Sequence, residues 1–248
     1  MVGVVLAAGS GSRFIEEYGA ELCKALVKVG GRPIIEYSLE NLFRMKVERI
    51  YIVVGKYADD IKGTVGKEYR SIPVIYVSQE SPVGLINALS KTLFYFDDNM
   101  TVQLGDEIFL GADIPGLCRE IESGRYDFHC CITREEDEEN IKKNYSVELD
   151  GEFRLLRCTE KPKTVPNLYK GTGFCVFSRA CVRFLRERYN QTTNFPFDLC
   201  DYMNALIAAG KIGKCFLLSG REINVNTVSD FNYAKSVALP REDGGDRP

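Results

Sequence analysis

Short runs of apolar, mostly β-branched residues recur along the first 133 positions: MVGVVL at 1–6, RIYIVVG at 49–55, IPVIYV at 72–77, MTVQLGD at 100–106 and YDFHCCIT at 126–133. Unbroken apolarity over so few residues, bounded by glycine or polar turns, marks strands buried on both faces. The segments between them at 33–42, 83–94 and 113–122 carry apolar residues at helical spacing, and Pro33 suits a first helical turn. Strand alternating with helix requires a sheet covered on both sides, with right-handed crossovers between parallel neighbours.

After Thr133 the pattern changes. NYSVELDGEFRLLRCTEKP predicts a β-hairpin turning at Asp150-Gly151 with positive φ, GTGFCVFS a further strand, 179–189 and 198–209 helices, and KCFLLS a last strand. The expected fold is therefore α/β: Rossmann-like and doubly wound, a mostly parallel central sheet flanked by helices, with a β-hairpin insertion in the second half. One domain is expected over 1–238, and the composition of PREDGGDRP predicts a disordered tail at 239–248. The acidic run Glu135 to Glu139 reads as a solvated loop or helix face.

Composition narrows the partners. The 248 residues, 45% hydrophobic and 27% charged, can bury a sizeable core, and a net charge of -3 argues against a nucleic-acid partner held by phosphate charge. No apolar run approaches the ~20 residues of a bilayer span, and the amino terminus lacks a signal-like pattern, so a cytoplasmic protein with no membrane partner is expected. Nine cysteines, an odd number without a CxxC pair, read as reduced thiols inside apolar runs. The oligomeric state stays open; a homo-oligomer is compatible with the sequence.

The first strand runs into Leu6-Ala7-Ala8-Gly9-Ser10-Gly11-Ser12-Arg13. Small residues there let the backbone turn sharply and approach a ligand, leaving main-chain N–H groups free for anionic oxygens. A dinucleotide loop would need a third glycine where Phe14 stands, and an acid closing the second strand, which ends Val53-Val54-Gly55. A Walker loop would need GK followed by Ser or Thr, which is absent. Arg13 and Lys24 set two positive charges beside the loop, which suits a triphosphate whose pyrophosphate must leave.

These residues resemble the sugar-phosphate nucleotidyltransferase family, related to glucose-1-phosphate thymidylyltransferases and small cytidylyltransferases: a strand, LAAGxGxR, a variable stretch, then Lys24-Ala25-Leu26-Val27. Further blocks follow in family order. Gln79-Glu80-Ser81-Pro82-Val83-Gly84-Leu85 resembles the base-recognition segment, and Leu104-Gly105-Asp106 the strand end whose aspartate holds magnesium. Tyr145-Ser146, Glu160-Lys161-Pro162 and Gly171-Thr172-Gly173 resemble segments lining the acceptor pocket; Asn224-Val225-Asn226-Thr227 resembles the block with the second metal position. The sequence departs from the family where Cys23 precedes Lys24, where Ser146 replaces a glycine, and where Asn224, or Asn226 on another placement, replaces aspartate.

The resemblance implies an enzyme that moves a nucleoside monophosphate from a triphosphate onto the phosphate or phosphonate of a small acceptor, such as a sugar 1-phosphate, phosphocholine or a phosphonate. CTP ranks slightly ahead of UTP and dTTP. It implies nucleotide binding by residues 6–13 with Lys24, Gln79, Pro82, Gly84 and Asp106, and Mg²⁺ on Asp106 with Asn224 or Asn226. Arg13, Lys24 and Lys161 are the expected catalytic cations; Tyr145, Ser146, Glu160, Lys161 and Thr172 are the expected acceptor contacts, with Tyr145 equally suited to filling the hairpin's inner face. A catalytically inactive nucleotide-binding module of the same fold is the alternative. His129, the sole histidine, reads as a packed strand residue.

Overall fold

The computed structural model describes residues 1–19, 21–80, 84–191 and 198–238. Pro82 and the expected tail at 239–248 lie outside the described residues. The elements run β1 (Val2–Ala7), α1 (Ser12–Tyr18), β2 (Lys28–Val29), β3 (Arg32–Pro33), α2 (Ile35–Arg44), β4 (Ile50–Val54), α3 (Ala58–Val65), β5 (Glu68–Tyr69), β6 (Ile72–Ser78), α4 (Leu85–Ser90), β7 (Met100–Leu104) and β8 (Glu107–Leu110). There follow α5 (Ile114–Glu122), β9 (Phe128–Arg134), α6 (Glu138–Lys143), β10 (Tyr145–Leu149), β11 (Leu155–Glu160), β12 (Tyr169–Phe177), α7 (Arg179–Gln191), α8 (Leu199–Ala208), β13 (Gly213–Leu217), β14 (Arg221–Asn224) and α9 (Val228–Val237).

Among the described residues ten strands make one sheet in the order β11-β10-β12-β7-β1-β4-β6-β5, with β9 beside β12 and β13 beside β9. Its centre, β6-β4-β1-β7, is parallel, as the continuous apolar runs require. The chain moves outward from β1 through β4 to β6, then crosses to β7 on the other side of β1. Strand order thus reverses at β1, which opens a crevice at the carboxyl ends of β1 and β7. One face of the sheet carries Val5, Ile52, Leu39 of α2 and Leu117 of α5; the other carries Val4, Val53, Leu89 of α4, Leu185 of α7 and Tyr202 of α8. Helix α2 lies so close to β1 that a Cβ on Gly3 would come within 2.7 Å of Leu42 Cδ1.

Three local expectations give way to specific contacts. Pro33 does not open the helix: Gly30 and Gly31, at φ 57° and 81°, make a two-residue turn that pairs Lys28 with Pro33, and α2 starts at Ile35. Helix α4 is shorter than its apolar pattern, covering Leu85–Ser90. The hairpin after β10 turns without a positive φ at Gly151. Asp150 Oδ1 accepts the N–H groups of Glu152 and Arg154, each at 2.9 Å, and the left-handed residue is Phe153 at φ 59°. All nine cysteines are free, and no helix among the described residues is long and apolar enough to cross a membrane.

Unforeseen in the sequence is a small antiparallel pair, β8 with β14, that sets Asn224 opposite Glu107. It carries the 221–226 segment from the far end of the chain to the tip of β7.

Candidate active site

At the end of β1 the chain turns through Gly9, Ser10 and Gly11. Gly11 caps α1 at φ 64°, a conformation that favours glycine, and a Cβ there would lie 3.3 Å from Lys24 Cβ. A Cβ on Gly55 would come within 2.7 Å of Ala8 O, so the loop packs directly on the end of β4. The loop forms one wall of a cavity of about 380 Å³. Leu6 to Gly11, Cys23, Lys24, Ala25, Gln79, Gly84, Leu85, Ala88, Leu104, Gly105 and Asp106 line it, at the crevice where strand order reverses.

Within this cavity Lys24 Nζ lies 2.6 Å from Asp106 Oδ2 and donates to Asn226 Oδ1 at 3.2 Å. Segments more than 200 residues apart in the chain meet here, and backbone contacts fix both sides. Val225 N donates to Asp106 O at 3.0 Å, and Asp230 accepts from the N–H groups of Asn226 and Thr227 at 2.9 and 2.8 Å. Thr227 is the N-cap of α9 and, with Asp230, forms its capping box, so neither asparagine is spent as a cap. Of the two asparagines, Asn226 is the one beside Asp106. Asn224 turns its Nδ2 to Asn144 Oδ1 at 3.4 Å, and its own Oδ1 is buried without a hydrogen-bond partner.

Gln79 is buried and donates through Nε2 to Asn87 Oδ1 at 3.1 Å, while Gly84 caps α4 at φ 100°. Ser12 and Arg13 form the first turn of α1, carry exposed side chains and do not line the cavity.

The expected acceptor residues lie together on β10, β11 and β12 but outside this cavity's lining. Tyr145 takes up the packing position: its ring lies over Gly171 on the neighbouring strand, where a Cβ would meet it at 1.8 Å, and its hydroxyl donates to Thr172 O at 2.8 Å. That side chain is buried in the core on the inner face of the sheet. Ser146 and Thr172 are also buried, with Thr172 Oγ1 donating to Cys131 O at 2.9 Å. Glu160 and Lys161 sit at the open end of β11, with Lys161 Nζ 3.9 Å from Glu160 Oε1. Burial, reinforced by the negative charge of Asp198, pushes the Glu160 carboxyl up to about 6. Lys161 holds φ 44°, unusual for a side-chain-bearing residue, and its N–H donates to Asn144 O at 2.7 Å.

Between the two groups lies a buried ionic network that the sequence did not announce. Glu107, next to Asp106, is 2% exposed and accepts Gly173 N at 2.8 and 3.0 Å. Burial, with Glu222 nearby, holds its carboxyl well above the usual range. Lys170 Nζ lies 2.5 Å from Glu222 Oε2, with side chains 8% and 2% exposed. Burial disfavours that ammonium, yet the charges of Glu222, Glu135 and Glu107 outweigh it and raise its pKa. The available signal was a lysine inside an apolar strand and a glutamate opening EIFL, positions where charge is rare unless paired. The network ties β12 to the β8–β14 pair, and so ties the acceptor-side strands to the segments bearing Asp106 and Asn226.

Comparisons with known proteins agree with this architecture. A UTP–glucose-1-phosphate uridylyltransferase of Haloferax volcanii is 25% identical over 236 residues, 95% of each chain. A CMP-5'-(3-aminopropyl)phosphonate synthase of Streptomyces rubellomurinus is 33% identical over 122 residues, 48% of this chain and 19% of that protein. The solved structure of a UDP-glucose pyrophosphorylase complexed with UDP-glucose superposes with a TM-score of 0.78 at 18% identity, covering 95% of this chain and 97% of that one. The pattern of the nucleotidyl transferase family matches residues 2–223, nearly all of the described chain, and the protein belongs to that family of enzymes.

Proposed function

We propose that the protein transfers a nucleoside monophosphate from a pyrimidine nucleoside triphosphate, CTP ahead of UTP and dTTP, to the phosphate or phosphonate of a small acceptor, releasing pyrophosphate. The observation that carries this is the meeting of Lys24, Asp106 and Asn226 at the foot of a glycine loop, in a cavity of about 380 Å³. Both reactants are anionic, so charge repulsion is the main obstacle, and positioning with fixed cations is the remedy. Loop N–H groups from Gly9 to Gly11 cradle the phosphates, Lys24 meets the α-phosphate and Arg13, at the mouth, the departing pyrophosphate. Gln79 and Gly84 meet the base.

The donor set fits a hard dication. A carboxylate and a neutral amide oxygen already converge on one cation, and oxygen donors of that kind suit Mg²⁺. Among the described residues no three His, Cys, Asp or Glu side chains gather to hold a metal alone, so the ion would depend on phosphate oxygens and water for its remaining positions. Bound there by Asp106 and Asn226, Mg²⁺ supplies charge neutralisation at the triphosphate. On the acceptor side Lys161 meets the acceptor's phosphate or phosphonate and Glu160 orients a hydroxyl or amine; the similarity to an aminoalkylphosphonate enzyme supports an acceptor of either kind.

The test is pyrophosphate release from CTP, UTP and dTTP against sugar 1-phosphates, phosphocholine and aminoalkyl phosphonates. One pairing should turn over, and Asp106→Asn and Lys24→Ala should each lower it by several hundredfold or more with the fold intact. No release across the panel, or wild-type rates in both variants, contradicts the proposal.

A further inference from the structure

Lys24 stands where a second cation is needed. Its ammonium is 2.6 Å from Asp106 and 3.2 Å from Asn226, the two oxygens proposed above for Mg²⁺, and only 12% of its side chain is exposed. Gly11 packs behind the lysine stem, where a Cβ on it would lie 3.3 Å from Lys24 Cβ, and Lys24 opens the short 3₁₀ turn Lys24–Leu26. An ammonium and a dication cannot share those oxygens, since like charges at contact distance repel strongly in a partly buried site. Among the described residues no three His, Cys, Asp or Glu side chains gather to hold a metal without further ligands.

We propose that Lys24 closes the metal position in the free protein, so that the divalent ion enters with the triphosphate and not before it. The arriving phosphates do two things together: they give Lys24 a new anionic partner, which frees Asp106 and Asn226, and they supply the coordination that the side chains lack. Metal and nucleotide therefore bind with positive coupling, and each raises the affinity of the other by the same factor. The lysine that acts in the transfer is also the residue that fixes the order of binding. This rests on the metal–triphosphate reading above.

Mn²⁺, whose unbound ion is counted by its electron paramagnetic resonance signal, is the probe, with α,β-methylene-CTP and α,β-methylene-UTP as non-reacting nucleotides. The full-length wild type, Lys24→Met, Lys24→Gln and Asp106→Asn are titrated, each with its melting temperature and circular dichroism recorded. Without nucleotide, Lys24→Met and Lys24→Gln should bind Mn²⁺ at least about tenfold more tightly than wild type. An analogue should tighten wild-type binding by about tenfold or more and the lysine variants by less, and Asp106→Asn should weaken binding throughout. Equal Mn²⁺ affinity in wild type and both folded lysine variants overturns the closure. So does a wild type that binds Mn²⁺ equally well with and without nucleotide. Failure of every protein to bind Mn²⁺ with either analogue is a different result: it overturns the metal–triphosphate reading itself.

Discussion

Removing the charge of Lys170 should unfold the protein far more readily than removing any surface lysine. The pair it makes with Glu222 is 2.5 Å long, with side chains 8% and 2% exposed, so Lys170→Met strands a buried carboxylate. Breaking one side of such a pair costs about 3–5 kcal/mol, which for a chain of this size lowers the melting temperature by roughly 6–20 °C. Replacing both members, as in Lys170→Met with Glu222→Leu, removes both desolvation costs and should return to within about 1 kcal/mol of wild type. The pH dependence has a definite sign. Glu222 is raised above its ordinary value chiefly by burial, partly opposed by Lys170, and losing Lys170 raises it further. A carboxyl raised by folding penalises the native state increasingly as the pH climbs from its unfolded value of 4.5, and in full once the pH exceeds its folded pKa. The single variant should therefore be worst near pH 8 and recover toward pH 5. Urea unfolding followed by circular dichroism at both pH values measures this. A Lys170→Met protein within 1 kcal/mol of wild type at pH 8, or a double variant as weak as the single one, would refute the reasoning.

Gly173→Ala places a Cβ 2.2 Å from Leu104 Cγ and 2.9 Å from Glu107 Oε2; it should cost about 1–3 kcal/mol in chemical denaturation and depress turnover by displacing the Asp106 turn. Glu160→Gln should raise the melting temperature at pH 8 and leave it unchanged at pH 4: the carboxyl, raised to about 6, burdens the fold as it ionises above its unfolded value of 4.5. At Lys161 the usual order of substitutions should invert, because φ 44° suits glycine; Lys161→Gly should exceed Lys161→Ala in stability by about 1 kcal/mol, while both lose acceptor turnover.

The sheet was legible because its strands announce themselves twice, by β-branched apolar runs and by the turn residues that end them. Strands β1, β4, β6, β7 and β9 fall within a few residues of their expected bounds. Pro33 was misplaced, and the hairpin turn was found at Asp150-Gly151 but with its left-handed residue misassigned, because the first depends on Gly30-Gly31 and the second on how the Asp150 carboxylate ties the turn. The glycine loop, Lys24 and Asp106 were readable as local motifs. The choice between Asn224 and Asn226 was not, since it depends on the register of β14 against β8, a pairing of segments over 100 residues apart. Which of its two readings Tyr145 takes, acceptor contact or inner-face packing, was unreadable for a similar reason. Its ring is claimed by a glycine on another strand, which no spacing in the sequence reveals. Lys170, Glu107 and Glu222 went unread because an isolated charge in a strand shows its partner only after folding.

A crystal of the protein grown with Mn²⁺ and a non-reacting pyrimidine triphosphate analogue bears most directly on whether this cavity is where transfer occurs. The account predicts phosphates against Gly9 to Gly11, the ion on Asp106 and Asn226, the base near Gln79, and Lys24 turned from the carboxylate to the α-phosphate. A nucleotide bound elsewhere, or one bound here with the Lys24–Asp106 contact unbroken and no ion beside it, would contradict it.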